Sequence, residues 1–358
     1  MVEWLAGNRI RGTSTERTTG AGFNPVDAVA GGWKEVGRAN PSDGTITNMN
    51  IDLSLSLNNK RYYMFLFDYT CGSSSGDKGV LQFNSDPNSN YAWRYSNDGD
   101  VDETSGATQT SILGGYGGNS LYEFGVGYIS NLSGKQKLTM NYGSSNGGTG
   151  TGTSNYPHVR KIAGKWTGTD VIDEIDFFPQ NGVGFSTGEV VILGWEPADT
   201  HTTNFWEQLY SGTGTSIDTG VGGITAKKYL WIQTYLDMSN SSANVSFIYN
   251  GDNSGSHYNV RYFLNDDADG VDGNRNDALI PYQGQPNTNG AFCNTFISNK
   301  SNKSKLGINN VVWNNASNAI SRQTQVGKWE PASNAQITDI QLSGTYGANS
   351  YMKVWGSD

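Results

Sequence analysis

An all-β protein is predicted, built as two tandem jelly-roll-like β-sandwich domains from an internal duplication and preceded by an extended N-terminal arm. Three observations predict it. First, 47 glycines and 12% aromatic residues accompany only 16% charged ones, the composition of short strands joined by many tight turns. Second, apolar stretches such as Ile51–Leu57 and Tyr229–Leu236 alternate or run unbroken over strand length, and no stretch keeps a 3.6-residue period for three turns. Third, the chain repeats itself in order. Lys60-Arg61-Tyr62-Tyr63 returns as Lys227-Lys228-Tyr229-Leu230, and Phe83-Asn84-Ser85-Asp86 as Tyr249-Asn250-Gly251-Asp252. Ile129-Ser130-Asn131 returns as Ile297-Ser298-Asn299, and Gly164-Lys165-Trp166 as Gly327-Lys328-Trp329, all at an offset of about 165 residues.

Residues 1–24 belong to neither copy. They carry Arg9, Arg11 and Arg17 against Glu3 and Glu16, a net +1 in a chain whose total is −9. An arm of opposite charge to its body is either a loose terminus or an anchor that orders on an acidic partner. The first repeat covers 25–197 and opens on the Trp-containing segment GGWKEVGR. A short link, PADTHTT, joins it to the second repeat, 204–358, which opens on NFWEQLYS. A link this short keeps the two units close. With many turns and alternating strands, each unit suits a two-sheet sandwich of jelly-roll type.

Charge and composition exclude several classes. A net −9 argues against nucleic acid, whose binding needs clustered Lys and Arg. No apolar run reaches 18 residues, so no membrane span is expected. The opening MVEWLAGNRIRG lacks the apolar centre of a signal peptide, so release on a particle or by lysis is expected rather than ordinary secretion. Cys71 and Cys293 occupy non-equivalent points of the repeats and read as free, buried thiols.

Four features invite a chemical reading. Tyr91, Trp93 and Tyr95 share one strand face, as do Tyr258, Val260 and Tyr262, with Arg94 and Arg261 opposite. An aromatic face kept in both copies reads as core, and the repeated Arg as a partner for the acidic loop that follows it. That loop supplies Asp98, Asp100 and Asp102 in the first copy and Asn265, Asp267 and Asp269 in the second. Asn265-x-Asp267-x-Asp269-Gly270 has the first half of an EF-hand pattern, but Asn276 stands where the bidentate Glu belongs. These loops are either calcium sites or solvated hairpin ends, and no other cofactor is expected. Glu174 and Asp176 lie on one strand face, resembling the E-x-D-x-x-E strand of laminarinase-type glycoside hydrolases, but Phe178 and Pro179 follow where the final Glu is needed. His158, His201 and His257 have no second ligand at metal spacing. The chain is therefore expected not to be an enzyme. The Gly-rich stretch GSSNGGTGTGTSN, 143–155, has the composition of a flexible connector that a neighbour would have to hold in place.

The segments GNRIRGTSTERT, ITAKKYLWIQTY, NSGSHYNVRYFLNDDADG, VGKWEPASNAQITDIQL and MKVWGSD resemble a jelly-roll repeat of predicted virion structural proteins of tailed bacteriophages, over nearly the full length. The resemblance implies a capsid decoration or tail-associated protein at the virion surface and brings no catalytic motif. On that reading Trp4, Arg9, Arg11 and Arg17 anchor the arm to other virion proteins, the major capsid protein first among them, and copies of the chain associate with one another. The acidic body then faces solvent and keeps particles apart. The alternative is a carbohydrate- or receptor-binding sandwich that takes host surface glycans through exposed aromatics such as Trp313 or Tyr116.

Overall fold

The computed structural model describes residues 4–5, 8–9, 32–40, 49–52, 60–72, 78–100, 102–115, 121–150, 155–182, 184–196, 204–238, 244–265, 269–280, 290–314 and 320–358. Among them every element is a strand and every ladder is antiparallel. Among the described residues no helix is long and apolar enough to cross a membrane. In the arm, β1 (Trp4–Leu5) pairs with β2 (Asn8–Arg9). Arg11, Arg17 and the side chains of Trp4 and Arg9 lie outside the described residues.

The first group of strands comprises β3 (Lys34–Ala39), β4 (Met49–Asp52), β5 (Tyr62–Cys71), β6 (Gly79–Phe83), β7 (Tyr91–Asn97) and β8 (Glu103–Gln109). It continues with β9 (Ile112–Leu113), β10 (Tyr122–Ser130), β11 (Lys137–Ser145), β12 (His158–Trp166), β13 (Glu174–Pro179) and β14 (Phe185–Trp195). The second comprises β15 (Glu207–Thr213), β16 (Tyr229–Leu236), β17 (Val245–Tyr249), β18 (Tyr258–Leu264), β19 (Asp269–Arg275) and β20 (Ala278–Ile280). It ends with β21 (Ala291–Ser298), β22 (Lys305–Asn314), β23 (Ile320–Trp329), β24 (Ile340–Ser343) and β25 (Tyr351–Ser357).

Each group has a large and a small sheet. The first large sheet runs β3-β14-β5-β10-β11-β12-β7-β8 and the small one β4-β13-β6-β9. The second large sheet runs β15-β25-β16-β21-β22-β23-β18-β19 and the small one β20-β17-β24. The two large sheets have the same order strand for strand, and so do the small ones once β4 is set aside. In place of β4 the second group has the single bridge Asp218↔Gln341.

Between the sheets of each group lies a core of alternate residues. In the first, Phe67, Tyr69, Phe177 and Phe185 interleave, with Phe67 and Phe177 stacked at 5.5 Å and Phe177 and Phe185 at 5.3 Å. In the second, Leu230, Ile232, Phe247, Tyr258 and Trp329 meet from both sheets. Cys293 is a free buried thiol whose burial pushes its titration far upward; the side chain of Cys71 is outside the described residues.

A third core joins the groups. The outer faces of the two large sheets pack on each other through Leu66, Phe124, Val126 and Val191 from one and Tyr229, Trp231, Phe296 and Leu306 from the other. Both faces of each large sheet are thus covered over much of their width, which explains the consecutive buried residues Val190–Leu193 of β14 and Tyr229–Ile232 of β16. The two groups are therefore layers of one stack.

Candidate functional site

The Tyr-x-x-Arg-Tyr phrase is structural in both copies. Tyr91 and Tyr258 are buried and accept from the backbone N–H of Phe83 (2.9 Å) and Tyr249 (3.0 Å). The tryptophans of the repeated Gly-Lys-Trp triplets donate to matching carboxylates, Trp166 to Asp86 at 2.7 Å and Trp329 to Asp252 at 2.8 Å. Strand alternation holds for Tyr91 and Tyr95, which are buried, and for the half-buried Trp93 packed against the core. The expected burial is incomplete at Tyr262, which is half-exposed, while Phe263 on the opposite face is buried in the seam. The first group covers that second face, so Phe263 is buried there while Tyr258 and Leu264 keep to the core of the second group.

The acidic loops do two different things. Asp98 accepts from the Val159 N–H at 2.8 Å, meets His158 Nδ1 at 2.6 Å and pairs with Arg261 of the other repeat at 2.6 Å. Burial opposes its charge, but His158, the Val159 N–H and Arg261 together hold its carboxyl below the usual range. Asp98 thus ties the two groups. Asp269 reaches the same Arg261 at 3.5 Å, and Asp102 pairs with Arg94 at 3.3 Å in the open. Asn265 accepts from the Arg322 N–H at 2.9 Å, and Asp100 sits exposed on the hairpin. Asp267 lies outside the described residues, and among those described no cluster of three or more His, Cys, Asp or Glu could hold a metal ion.

Ser85 bridges the carboxylate pair on β13, donating to Glu174 at 2.8 Å with Asp176 at 3.4 Å. His257 pairs with Asp252 at 2.7 Å, within the Trp329 network. His201 and Tyr116 lie outside the described residues. Trp313, expected to be an exposed contact, is instead 6% exposed and part of the second core. It stands on β22, where the core-facing positions of that strand alternate with solvent-facing ones such as Val312.

Sequence reasoning missed a buried ionic cluster at the seam. Asp68 and Glu189 are register partners on β5 and β14. Tyr229 donates toward Asp68 (2.8 Å) and Glu189 (2.9 Å), and Lys300 Nζ reaches the same two carboxylates at 2.5 and 2.9 Å. Arg38 closes on Glu189 at 2.8 Å. Burial pushes the Asp68 carboxyl up to about 6 against the pull of Lys300. For Glu189 burial is outweighed by Lys300, Arg38 and the hydrogen bonds, which bring it down to about 2. At the matching position of the second sheet stands a stacked tyrosine pair, Tyr235 and Tyr351, at 5.7 Å. The signal in the sequence was a single carboxylate inside each apolar run, YYMFLFDYTC and FSTGEVVILGW.

The signs of the two shifts are opposite. Asp68 binds its proton more tightly folded than unfolded, so its contribution falls as pH rises from about 4 to about 6. Glu189 contributes above its ordinary range and loses that contribution as pH falls toward 2. Relative to an Asp68→Asn variant, the wild type loses up to about 2–3 kcal/mol of stability between pH 4 and pH 6. Chemical denaturation of both proteins across that window checks this; a constant difference refutes it.

Residues 146–150 and Asn155 of the Gly-rich stretch are held by the other group, and 151–154 lie outside the described residues. Lys328 Nζ donates to the carbonyls of Asn146 (2.9 Å), Gly148 (3.1 Å) and Gly150 (2.5 Å), and Asn259 Nδ2 to that of Asn155 (3.1 Å). Gly147, with φ 64°, admits no side chain because a Cβ would collide with the Tyr156 carbonyl. Lys328→Met strips the carbonyls of their donor in a buried setting and costs about 1–3 kcal/mol. Hydrogen exchange at 146–150 should accelerate in that variant while the core strands stay protected.

Two depressions open along the seam. One, of about 530 Å³, is lined by Trp33, Tyr62, Tyr128 and Trp195 with Leu138 and Met140. The other, of about 440 Å³, shares Met140 and carries Arg94, Asp102, Lys161 and Arg322. Fold and site together define an all-β protein of two packed groups of antiparallel sheets, with a groove along their junction. No family model matches the chain, and neither does any curated protein. Among solved structures, the attachment invasion locus protein Ail of Yersinia pestis, in complex with the heparin analogue sucrose octasulfate, aligns over 79% of this chain and 99% of its own at 4% identity and a TM-score of 0.13. Neisserial surface protein A aligns over 79% and 97% at 6% identity and 0.14. The transport unit of the autotransporter AIDA-I from Escherichia coli aligns over 77% and 91% at 9% and 0.13. Scores this low carry no argument about fold or function.

Proposed function

We propose that the chain is a noncatalytic structural protein of a tailed-phage particle, made of two duplicated jelly rolls and mounted on the capsid exterior through residues 1–24. Support for the duplication comes from the shared strand order and the paired devices Trp166–Asp86 and Trp329–Asp252. Support for the jelly roll comes from the way the chain alternates between large and small sheet, β3 to β4 to β5 to β6 to β7, as such wrapping requires. The observation that carries the structural role is the seam. The second face of each large sheet is used to weld the repeats into one block, which suits a part that must keep its shape on a shell. Imaging of native particles by cryo-electron microscopy tests the reading. A regular array over the shell, lost when residues 1–24 are deleted, is expected; complete absence from particles refutes it.

A carbohydrate- or receptor-binding role is the second reading, and the aromatic groove favours it. It fits a few copies at the tail as well as many on the head.

A further inference from the structure

The two large sheets do not cover each other completely, and what they leave open is aromatic. Tyr62 on β5, Tyr128 on β10 and Trp195 on β14 stand on the seam face of the first sheet and are only half-buried. Tyr62 and Trp195 stack at 5.1 Å and 26°, and Trp33 closes against Trp195 at 6.0 Å and Tyr128 at 6.5 Å. Leu138 and Met140 on β11 extend the same face at 58% and 50% exposure. The opposite wall brings Asn294 of β21. Its Oδ1 already accepts from Trp231 Nε1 at 2.6 Å and Gln233 Nε2 at 3.4 Å, which leaves its NH2 as the group to offer a ligand.

Beyond Met140 the groove changes character. Arg94 and Asp102, Lys161 and Arg322 bring donors and acceptors of both signs to its walls. We propose that this groove binds a linear polysaccharide of pyranose units, with the C–H faces of two or more sugars against Tyr62, Trp195 and Tyr128 and their hydroxyls bonded by Asn294 and the charged end. This inference rests on the second reading above and gives it a location.

Three features favour a glycan over a folded protein partner. Both depressions fall within the roughly 300–1,000 Å³ typical of small-ligand sites, whereas a stable protein interface covers about 800 Å² on each side. The apolar surface is mainly aromatic, with a polar edge, as sugar faces require. Mixed charge at one end suits hydroxyls, which both donate and accept; a polyanion would meet Asp100 and Asp102. The two depressions meet at Met140, so a ligand that occupies both is a chain rather than a single sugar.

The test is binding of the full chain to an oligosaccharide array bearing bacterial surface polysaccharides beside plant and algal glucans, with tryptophan fluorescence as the solution readout. Binding to at least one oligosaccharide, with affinity rising from two to six units, is expected. The class of glycan bound separates a cell-surface source from a free polysaccharide. Trp195→Ala should weaken binding at least about tenfold. Because Trp195 also packs at the seam, Leu138→Glu and Met140→Glu serve as variants at exposed positions, and each should weaken binding comparably with an unchanged melting temperature. No binding to any member at millimolar concentration overturns the proposal, as does binding that survives all three variants or a groove that captures peptides instead. Glycan binding is read on the purified chain and particle association on the particle, so the site and the virion reading fail separately.

Discussion

Lys300→Met lowers the stability of the folded chain by about 3 kcal/mol near neutral pH. The lysine comes from the loop after β21 and reaches Asp68 at 2.5 Å and Glu189 at 2.9 Å, carboxylates whose side chains are 1% and 3% exposed. Without it, Arg38 remains for Glu189, but Asp68 keeps only the Tyr229 hydroxyl. Removing one partner of a buried pair leaves an uncompensated charge, at roughly 3–5 kcal/mol; the 20% exposure of Lys300 places this case at the lower end. The penalty should shrink at pH 4–5, where Asp68 takes up a proton instead. Urea denaturation at pH 4.5 and 7.5 gives both values. An equal loss at the two pH values would contradict the assignment of Asp68 as the proton carrier.

Trp231→Ala is expected to cost about 3–5 kcal/mol, the range for truncating a buried aromatic. Trp231 is 2% exposed at the centre of the seam, stacked on Phe296 at 5.6 Å and in contact with Trp355 at 5.0 Å and Trp206 at 5.7 Å. The damage falls between the repeats rather than inside either core. Limited proteolysis should therefore cut the variant between the two groups before it degrades either one, whereas Phe177→Ala in the first core should expose the first group. A Trp231→Ala protein as stable as wild type would mean that the seam does not hold the repeats together.

The strands were largely legible. Their residues are β-branched and aromatic, and the period of two is enforced by the pleat itself, so YAWRYSN and YNVRYFL announce strands wherever they are placed. Turn chemistry was equally local: Asn84, Asn250 and Asn265 adopt φ near 50°, in the left-handed region that Asn tolerates better than most residues. The candidate site was not legible. Its aromatics come from Trp33, Tyr62, Tyr128 and Trp195, and nothing in one strand states which distant strand lies beside it. Arg261 shows the same limit. Its own hairpin acid Asp269 could be read from the neighbouring sequence, but the shorter bond, to Asp98, crosses between repeats.

Alternation assigned each side chain to a face, and that much the sequence determined by itself, together with the all-β class and the order of matching segments. Only the tertiary structure decided what covers each face. Tyr62 and Tyr229 occupy matching places in the sequence, yet Tyr62 lines an open groove while Tyr229 is sealed against Asp68 and Glu189. The reason is geometric. Two large sheets stacked face to face cannot mask each other's full width, so identical local patterns end in a core at one point and at the surface at another. Burial is a property of the pair of sheets, and no single strand encodes it.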